Sequence, residues 1–228
     1  VRNSLKSKTY YRLDADINQM GKYFPQLEYI QCANHENVKS LVNLSPDNFI
    51  IDTCSTLKLK NGSKRTDLLT FGSRYFIFSN ELKAVFDSIQ STQITWIPVP
   101  VDFSNGEVEL LHVFYPVKCT FEDNVLDFEW TTFKILDMEL DVVQKDLVLN
   151  ASNPLNSMSQ IRKEMGEYSI LKIDKICMKQ KENEPQVIDL FPFDAVNSML
   201  ISAELKNRVE DLKLTGVQFH RQEVFFSI

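Results

Sequence analysis

Glycine is scarce in this chain, and the six present in 228 residues, Gly21, Gly62, Gly72, Gly106, Gly166 and Gly216, fall at no phosphate-binding spacing. Neither GxGxxG nor GxxxxGK occurs, so nucleotide binding through those loops is excluded. Cysteine is equally sparse. Cys32, Cys54, Cys119 and Cys177 lie at least 22 positions apart, which leaves no CxxC pair and no dense disulfide framework. The expectation is reduced thiols in a cytoplasmic protein. No apolar run reaches the roughly 18 to 20 residues that a membrane-spanning helix needs. The first residues, Val1-Arg2-Asn3-Ser4, lack the hydrophobic stretch of a signal peptide. Basic charge is also lacking: 25 Lys and Arg stand against 31 Asp and Glu, for a net charge of −6. That argues against a general binder of nucleic acid or of anionic membranes, both of which need a basic field.

Chemistry-bearing motifs are missing as well. There is no GxSxG elbow and no HExxH, and the three histidines, His35, His112 and His220, are far apart. Asp14-Ala15-Asp16-Ile17-Asn18 resembles the first half of a calcium loop. However, Gln19 stands where the loop needs Gly, and Pro25 stands where it needs Glu. It reads as a solvated turn. His112 lies in an apolar strand pattern and reads as a hydrogen-bonded core histidine. The expectation is a protein with no catalytic residue, metal site or cofactor.

What the sequence does contain is acid in one place. Residues 1 to 66 hold ten Lys/Arg against six Asp/Glu, whereas residues 102 to 141 hold ten Asp/Glu against Lys118 and Lys134 alone. Asp137, Glu139 and Asp141 alternate with Leu136, Met138 and Leu140. On a strand they would share one face about 7 Å apart, too far to share a proton and suited to receiving Lys or Arg from a partner. With Glu122, Asp123, Asp127 and Glu129 they form the candidate partner-binding set. The bland alternative is a solvated sheet face.

It also contains a repeat. Asp67-Leu68-Leu69-Thr70-Phe71 lies over Asp189-Leu190-Phe191-Pro192-Phe193. After a slip of one residue, Ser79-Asn80-Glu81-Leu82-Lys83 lies over Ser202-Ala203-Glu204-Leu205-Lys206, and Thr92 over Thr215. Short strands, Phe76-Ile77-Phe78 and Met199-Leu200-Ile201, precede the two serines. Ser79 and Ser202 are placed to cap helices, with Glu81 and Glu204 in the first turns. Leu82, Val85, Phe86 and Ile89 make one core stripe, and Leu205, Val209 and Leu212 a sparser one. Strands carrying Ile94 and Trp96, and Val217 and Phe219, should follow, with Gly216 at a turn.

Between the copies, Val108 to Cys119, Val125 to Thr131 and Leu136 to Asp141 read as strands. Residues 151 to 157 read as a loop, 179 to 185 as a solvated hairpin or loop, and Asn61-Gly62 as a tight turn. The predicted fold is α+β: two related lobes from an internal duplication, each a small mainly antiparallel sheet with a capped helix. The lobes are assigned to residues 1–104 and 105–228, packed as one unit.

The run Met199 to Lys206, followed by Leu214-Thr215-Gly216-Val217-Gln218-Phe219, resembles the C-terminal hallmark of family eleven of the immunity proteins of bacterial polymorphic-toxin systems, formerly a domain of unknown function. Tyr10-Tyr11-Arg12-Leu13, Phe78 to Lys83, Phe114-Tyr115-Pro116-Val117 and Asp127-Phe128-Glu129 extend the resemblance over nearly the whole chain. The resemblance implies a cytoplasmic, non-enzymatic protein that binds and neutralises a cognate toxin. It implies no catalytic residues. An acidic inhibitor suits a basic toxin, and the acidic set above is the expected contact. The alternative is a general protein or peptide interaction module without a toxin.

Overall fold

In the computed structural model, the described residues are 5–30, 56–71, 75–89, 94–103, 105–116, 126–137, 142–147, 154–165, 169–179, 185–189 and 199–227. In chain order the elements are β1 (Leu5–Ala15), β2 (Leu27–Ile30), β3 (Thr56–Leu59), β4 (Leu68–Phe71), β5 (Tyr75–Phe78), α1 (Asn80–Asp87), β6 (Ile94–Asp102) and β7 (Val108–Pro116). They continue with β8 (Thr132–Asp137), β9 (Val142–Leu147), α2 (Pro154–Glu164), β10 (Ser169–Lys179), β11 (Val187–Asp189), β12 (Met199–Ser202), α3 (Ala203–Asp211) and β13 (Val217–Ser227). The class is α+β, mostly sheet. No helix of the described residues is long and apolar enough to cross a membrane.

Both predicted caps form. The Ser79 hydroxyl accepts from the Leu82 amide at 3.1 Å and the Ser202 hydroxyl from the Leu205 amide at 3.2 Å. Each satisfies an N–H that has no partner within its helix. Leu82, Val85, Phe86 and Ile89 are all buried, as their spacing requires. The α3 stripe is shorter than expected: Leu205 and Val209 are buried, but α3 ends at Asp211 and Leu212 is 60% exposed. Asn61-Gly62 makes its turn, closed by the Ser63 amide on the Lys60 carbonyl at 2.9 Å, with Gly62 at a φ of 92°.

The chain divides into two compact units. One comprises Val1–Leu13, Lys118–Lys206 and Phe219–Ile228, and the other Asp14–Val117 and Asn207–Gln218. This division differs from the sequence boundary at 104/105. The first strand, β1, takes a place in the sheet next to β12, and residues after α3 bond to the barrel strand β4. Sequence order is therefore a poor guide to which strands share a core.

The second unit holds a closed six-stranded barrel in the order β2-β3-β6-β7-β5-β4, where a small mainly antiparallel sheet was expected. Two parallel pairings, β2 with β4 and β3 with β6, close it. Leu27, Leu57, Leu69, Ile77, Val99 and Leu111 fill its interior. Such a barrel is a packed core and removes exposed strand edges. α1 covers one stretch of its outside, where Phe78 stacks on Phe114 with ring centroids 5.1 Å apart and Phe86 meets Phe78 edge-on at 5.0 Å.

The first unit holds a seven-stranded sheet in the order β11-β12-β1-β13-β10-β8-β9. Tyr10, Phe133, Ile173, Met178, Leu200 and Val224 belong to its core. The helix α2 was missed by composition. Its residues 154–157 fall in the stretch expected to be a loop, but Pro154 suits the first helical position, where no N–H is needed. Met158, Ile161 and Met165 then recur on one face and pack on this core.

The two strand orders correspond. Sheet positions β11-β12-β1-β13-β10 match barrel positions β4-β5-β7-β6-β3. The outer pairs β4 with β5 and β11 with β12 are antiparallel, as are β5 with β7 and β12 with β1. In both, the fifth strand runs parallel to the fourth. The register corrects the sequence alignment. Leu68 pairs with Phe78 and Val187 with Ile201, so Asp67 corresponds to Gln186 and not to Asp189. Of the second Asp-Leu-x-x-Phe only Asp189 is described, and it pairs with Met199. Three residues, 72–74, separate β4 from β5, but nine, 190–198, separate β11 from β12.

Candidate binding surfaces

Of the seven acidic candidates, Glu122, Asp123, Glu139 and Asp141 lie outside the described residues, and Asp137 is described in its backbone alone. Asp137 ends β8, paired with Ser169 on one side and Val142 on the other. The predicted strand from Leu136 to Asp141 is therefore described only up to Asp137, and the shared face of Asp137, Glu139 and Asp141 only in its first member.

Asp127 and Glu129 are described in full, and they correct the predicted strand from Val125 to Thr131. Leu126 makes one isolated bridge to Met178, and the chain then turns. The Asp127 carbonyl accepts from Trp130 N at 3.1 Å and Thr131 N at 2.9 Å, and its carboxylate accepts from Glu129 N at 3.2 Å. An Asp side chain that bonds the backbone two residues on favours a turn over a ladder. The turn is pinned from below by the buried Thr131. Its hydroxyl donates to the Cys177 carbonyl at 3.0 Å and accepts from the Cys177 amide at 3.1 Å. Leu126 and Phe128 are buried as their alternation suggested, whereas Glu129 is exposed and Trp130 is 39% exposed. Asp127 is committed to the turn, so Glu129 with Trp130 is what this segment offers to a partner.

A second surface was not anticipated. On the outside of the barrel, β6 and β7 pair Trp96 with Phe114, Pro98 with His112, Pro100 with Leu110 and Asp102 with Val108. α1 covers the first of these rungs. Further along, Val108 is 59% and Leu110 55% exposed, and Pro98 is exposed beside them. The signal was present in the spacing. Leu111 and Val113 fill the barrel, so Val108 and Leu110 must point out. Glu109, on the inward parity, sits near the barrel end and pairs with Arg65, which also bonds Glu107 at 3.1 Å.

His112 sits where the covered and bare parts of this face meet. Its Nε2 lies 3.0 Å from Asn80 Oδ1, an acceptor, so the proton is assigned to Nε2. Its Nδ1 is buried with no hydrogen-bond partner. The ring meets Trp96 edge-on at 6.4 Å. Trp96 Nε1 donates to Asp87 at 2.7 Å, Lys83 pairs with Asp87, and Lys83 Nζ lies 5.3 Å from the Trp96 ring centroid. Loss of water on burial, and then the Lys83 charge, hold the imidazole below its ordinary 6.5, against an opposing pull from Asp87. His112 is hydrogen-bonded as expected, but it is half-buried on the barrel's outer wall and not a core residue.

Asp16 serves its turn, accepting from Asn18 N at 3.0 Å. Among the described residues, no three His, Cys, Asp or Glu side chains converge as a metal would require. Cys177 is a free, buried thiol whose pKa burial raises above the ordinary value, as suits a packing residue. The other cysteines, His35, and Thr92 of the repeat lie outside the described residues.

No family model matches this sequence, and no curated protein does.

Proposed function

We propose that this protein is a non-enzymatic immunity protein that binds a cognate bacterial toxin and neutralises it by covering a functional surface. The family resemblance motivates the reading. The observation that carries it is the pair Glu129 and Trp130, held outward by a turn whose own carboxylate and hydroxyl are spent on fixing its shape. An aromatic anchor beside a carboxylate, on a rigid base, is the composition of an interface centre. Ten acidic residues against two basic ones between positions 102 and 141 add a field that speeds encounter with a basic partner. The protein is read as cytoplasmic, with no catalytic role.

The test is co-expression with the product of the adjacent reading frame. Rescue of cells from a product lethal on its own supports the reading, and continued lethality in the presence of folded protein sinks it. Association with the purified toxin should slow as salt rises, and Glu129→Lys should weaken that dependence.

A second reading, a general protein-interaction module, draws on the bare Pro98, Val108 and Leu110 face of the barrel. It is favoured if Leu110→Ser abolishes partner capture while Glu129→Lys leaves it intact.

The matching strand orders also support an internal duplication, in which the copy containing α3 completes its sheet with β1 in the position that β7 holds in the barrel. Equivalent contacts support it too. Lys83 lies over Trp96 at 5.3 Å, and Lys206 over Phe219 at 5.7 Å. Asp67 and Gln186 each accept from the capping serine of the following helix.

A further inference from the structure

We propose that His112 is an acid-sensitive latch that holds helix α1 on the barrel while neutral and loosens it when protonated. The geometry is specific to the neutral ring. Nε2 donates to Asn80, the first residue of α1, at 3.0 Å. The buried Nδ1 has no partner. In the neutral tautomer that atom is only a lone pair, which is cheap to leave unmatched. A proton added there creates a second N–H and a full charge in a place with no acceptor, and an unmatched buried donor is among the costlier defects a fold can hold.

The charged groups around the ring do not relieve it. From α1, Lys83 repels an imidazolium, and Asp87 attracts one. Asp87 is already engaged, accepting from Trp96 Nε1 and pairing with Lys83. From β6 the neighbours are the Trp96 ring and the cross-strand Pro98, and from β5 the cross-strand Phe78, none of which titrates. Lifting α1 rehydrates His112 and removes the conflict. Protonation therefore favours the open form, as any ligand favours the state that binds it better.

What α1 covers gives the latch a consequence. Phe78, Trp96 and Phe114 lie under or beside Phe86 of the helix. The strands of Trp96 and Phe114 also carry the exposed Pro98 and Leu110. Opening would thus extend an apolar strip that is already partly bare, and acid would enlarge this surface without unfolding the barrel. The inference is independent of the toxin reading, since it rests on the His112 environment alone.

The experiment is amide hydrogen exchange on the 228-residue chain at pH 7 and pH 5, with rates divided by the intrinsic rate at each pH. Protection of the α1 amides Val85 and Phe86 should fall several-fold at pH 5 relative to the β6 and β7 amides. In His112→Gln, which cannot take up the proton, the ratio should stay constant. Binding of a hydrophobic dye should rise over the same interval in the wild type only. An equal fall in both proteins, or an unchanged ratio in the wild type, overturns the proposal. Should the glutamine variant not fold, Lys83→Gln gives an independent reading. Removing the repelling charge should raise the NMR titration midpoint of His112 and, because the closed form then tolerates the proton better, reduce the loss of α1 protection at pH 5 with it. Movement of one without the other also overturns the latch.

Discussion

Asp67 holds Thr215 through one carboxylate oxygen, which accepts from both the Thr215 amide at 2.7 Å and its hydroxyl at 2.8 Å. The other oxygen accepts from the Ser79 hydroxyl at 2.9 Å, and that hydroxyl caps α1. One side chain thus joins the start of α1 to the turn before β13, whose Thr215 is 148 residues from Asp67 in sequence. Asp67→Ala removes three bonds and leaves the Thr215 donors searching for water. We expect it to cost roughly 1–3 kcal/mol, measured as a lower urea midpoint. Asp67→Asn, which keeps one acceptor oxygen, should cost less. A midpoint unchanged in Asp67→Ala would mean that these bonds are replaced by water without loss.

Gly216 is the next residue, and its φ of 77° lies where side chains are strained. An added Cβ would stand 2.6 Å from Thr66 Cβ and 2.7 Å from the Leu68 carbonyl oxygen. Backbone at that distance cannot give way cheaply. Gly216→Ala should therefore carry about 1–2 kcal/mol of conformational strain and about 1–3 kcal/mol of crowding. The contrast is Gly106, also at positive φ, where a Cβ meets nothing within 4 Å. Gly106→Ala should show only the conformational part, and equal thermal shifts in the two variants would refute the crowding argument.

Tyr10 makes stability sensitive to alkali. Burial pushes its phenol from 10.0 up to about 12, and its hydroxyl donates to the Pro185 carbonyl at 3.0 Å. Below pH 10 the phenol is neutral folded or unfolded, so its contribution is fully present. Above pH 10 the unfolded chain releases the proton first, and stability declines until about pH 12, by up to roughly 2–3 kcal/mol. Tyr10→Phe cannot ionise. Its denaturation midpoint should start lower at pH 8, for want of the Pro185 bond, and fall less steeply between pH 10 and pH 12. Parallel curves for the two proteins would remove Tyr10 as the cause.

The parts of this fold legible in the sequence are those set by neighbours along the chain. Ser79 and Ser202 announce their helices because a hydroxyl three residues before an amide has a local partner to satisfy. Barrel closure is different. It depends on Leu27 meeting Phe71 and Leu57 meeting Val101, pairings that no local spacing encodes. The segment 125–131 misled because alternating apolar residues fit both a strand and a turn that buries Leu126 and Phe128. The choice is made by the Asp127 carboxylate bonding two residues ahead. The shared Asp-Leu-x-x-Phe misled for the opposite reason. Its identity is real in sequence, but Asp189 pairs with Met199 within the sheet, and the residue that accepts from the Ser202 hydroxyl is Gln186. Of the acidic candidates, only Glu129 is described with its side chain exposed, and Trp130 gained importance from that turn.

Trp130 gives the sharpest test of where a partner binds. If the Asp127 turn is the contact, Trp130→Ala should weaken binding by about 2 kcal/mol or more, as buried aromatic anchors do. Most of that loss should appear as faster dissociation. Glu129→Lys should act mainly on association and on its salt dependence, because an exposed charge steers more than it holds. Asp127→Ala should do both more weakly, by loosening the turn that presents the two side chains, and should lower the melting temperature where the others leave it unchanged. Surface plasmon resonance at two salt concentrations separates these effects. Unaltered rates in Trp130→Ala and Glu129→Lys, with capture lost in Leu110→Ser, would move the interface to the β6–β7 face.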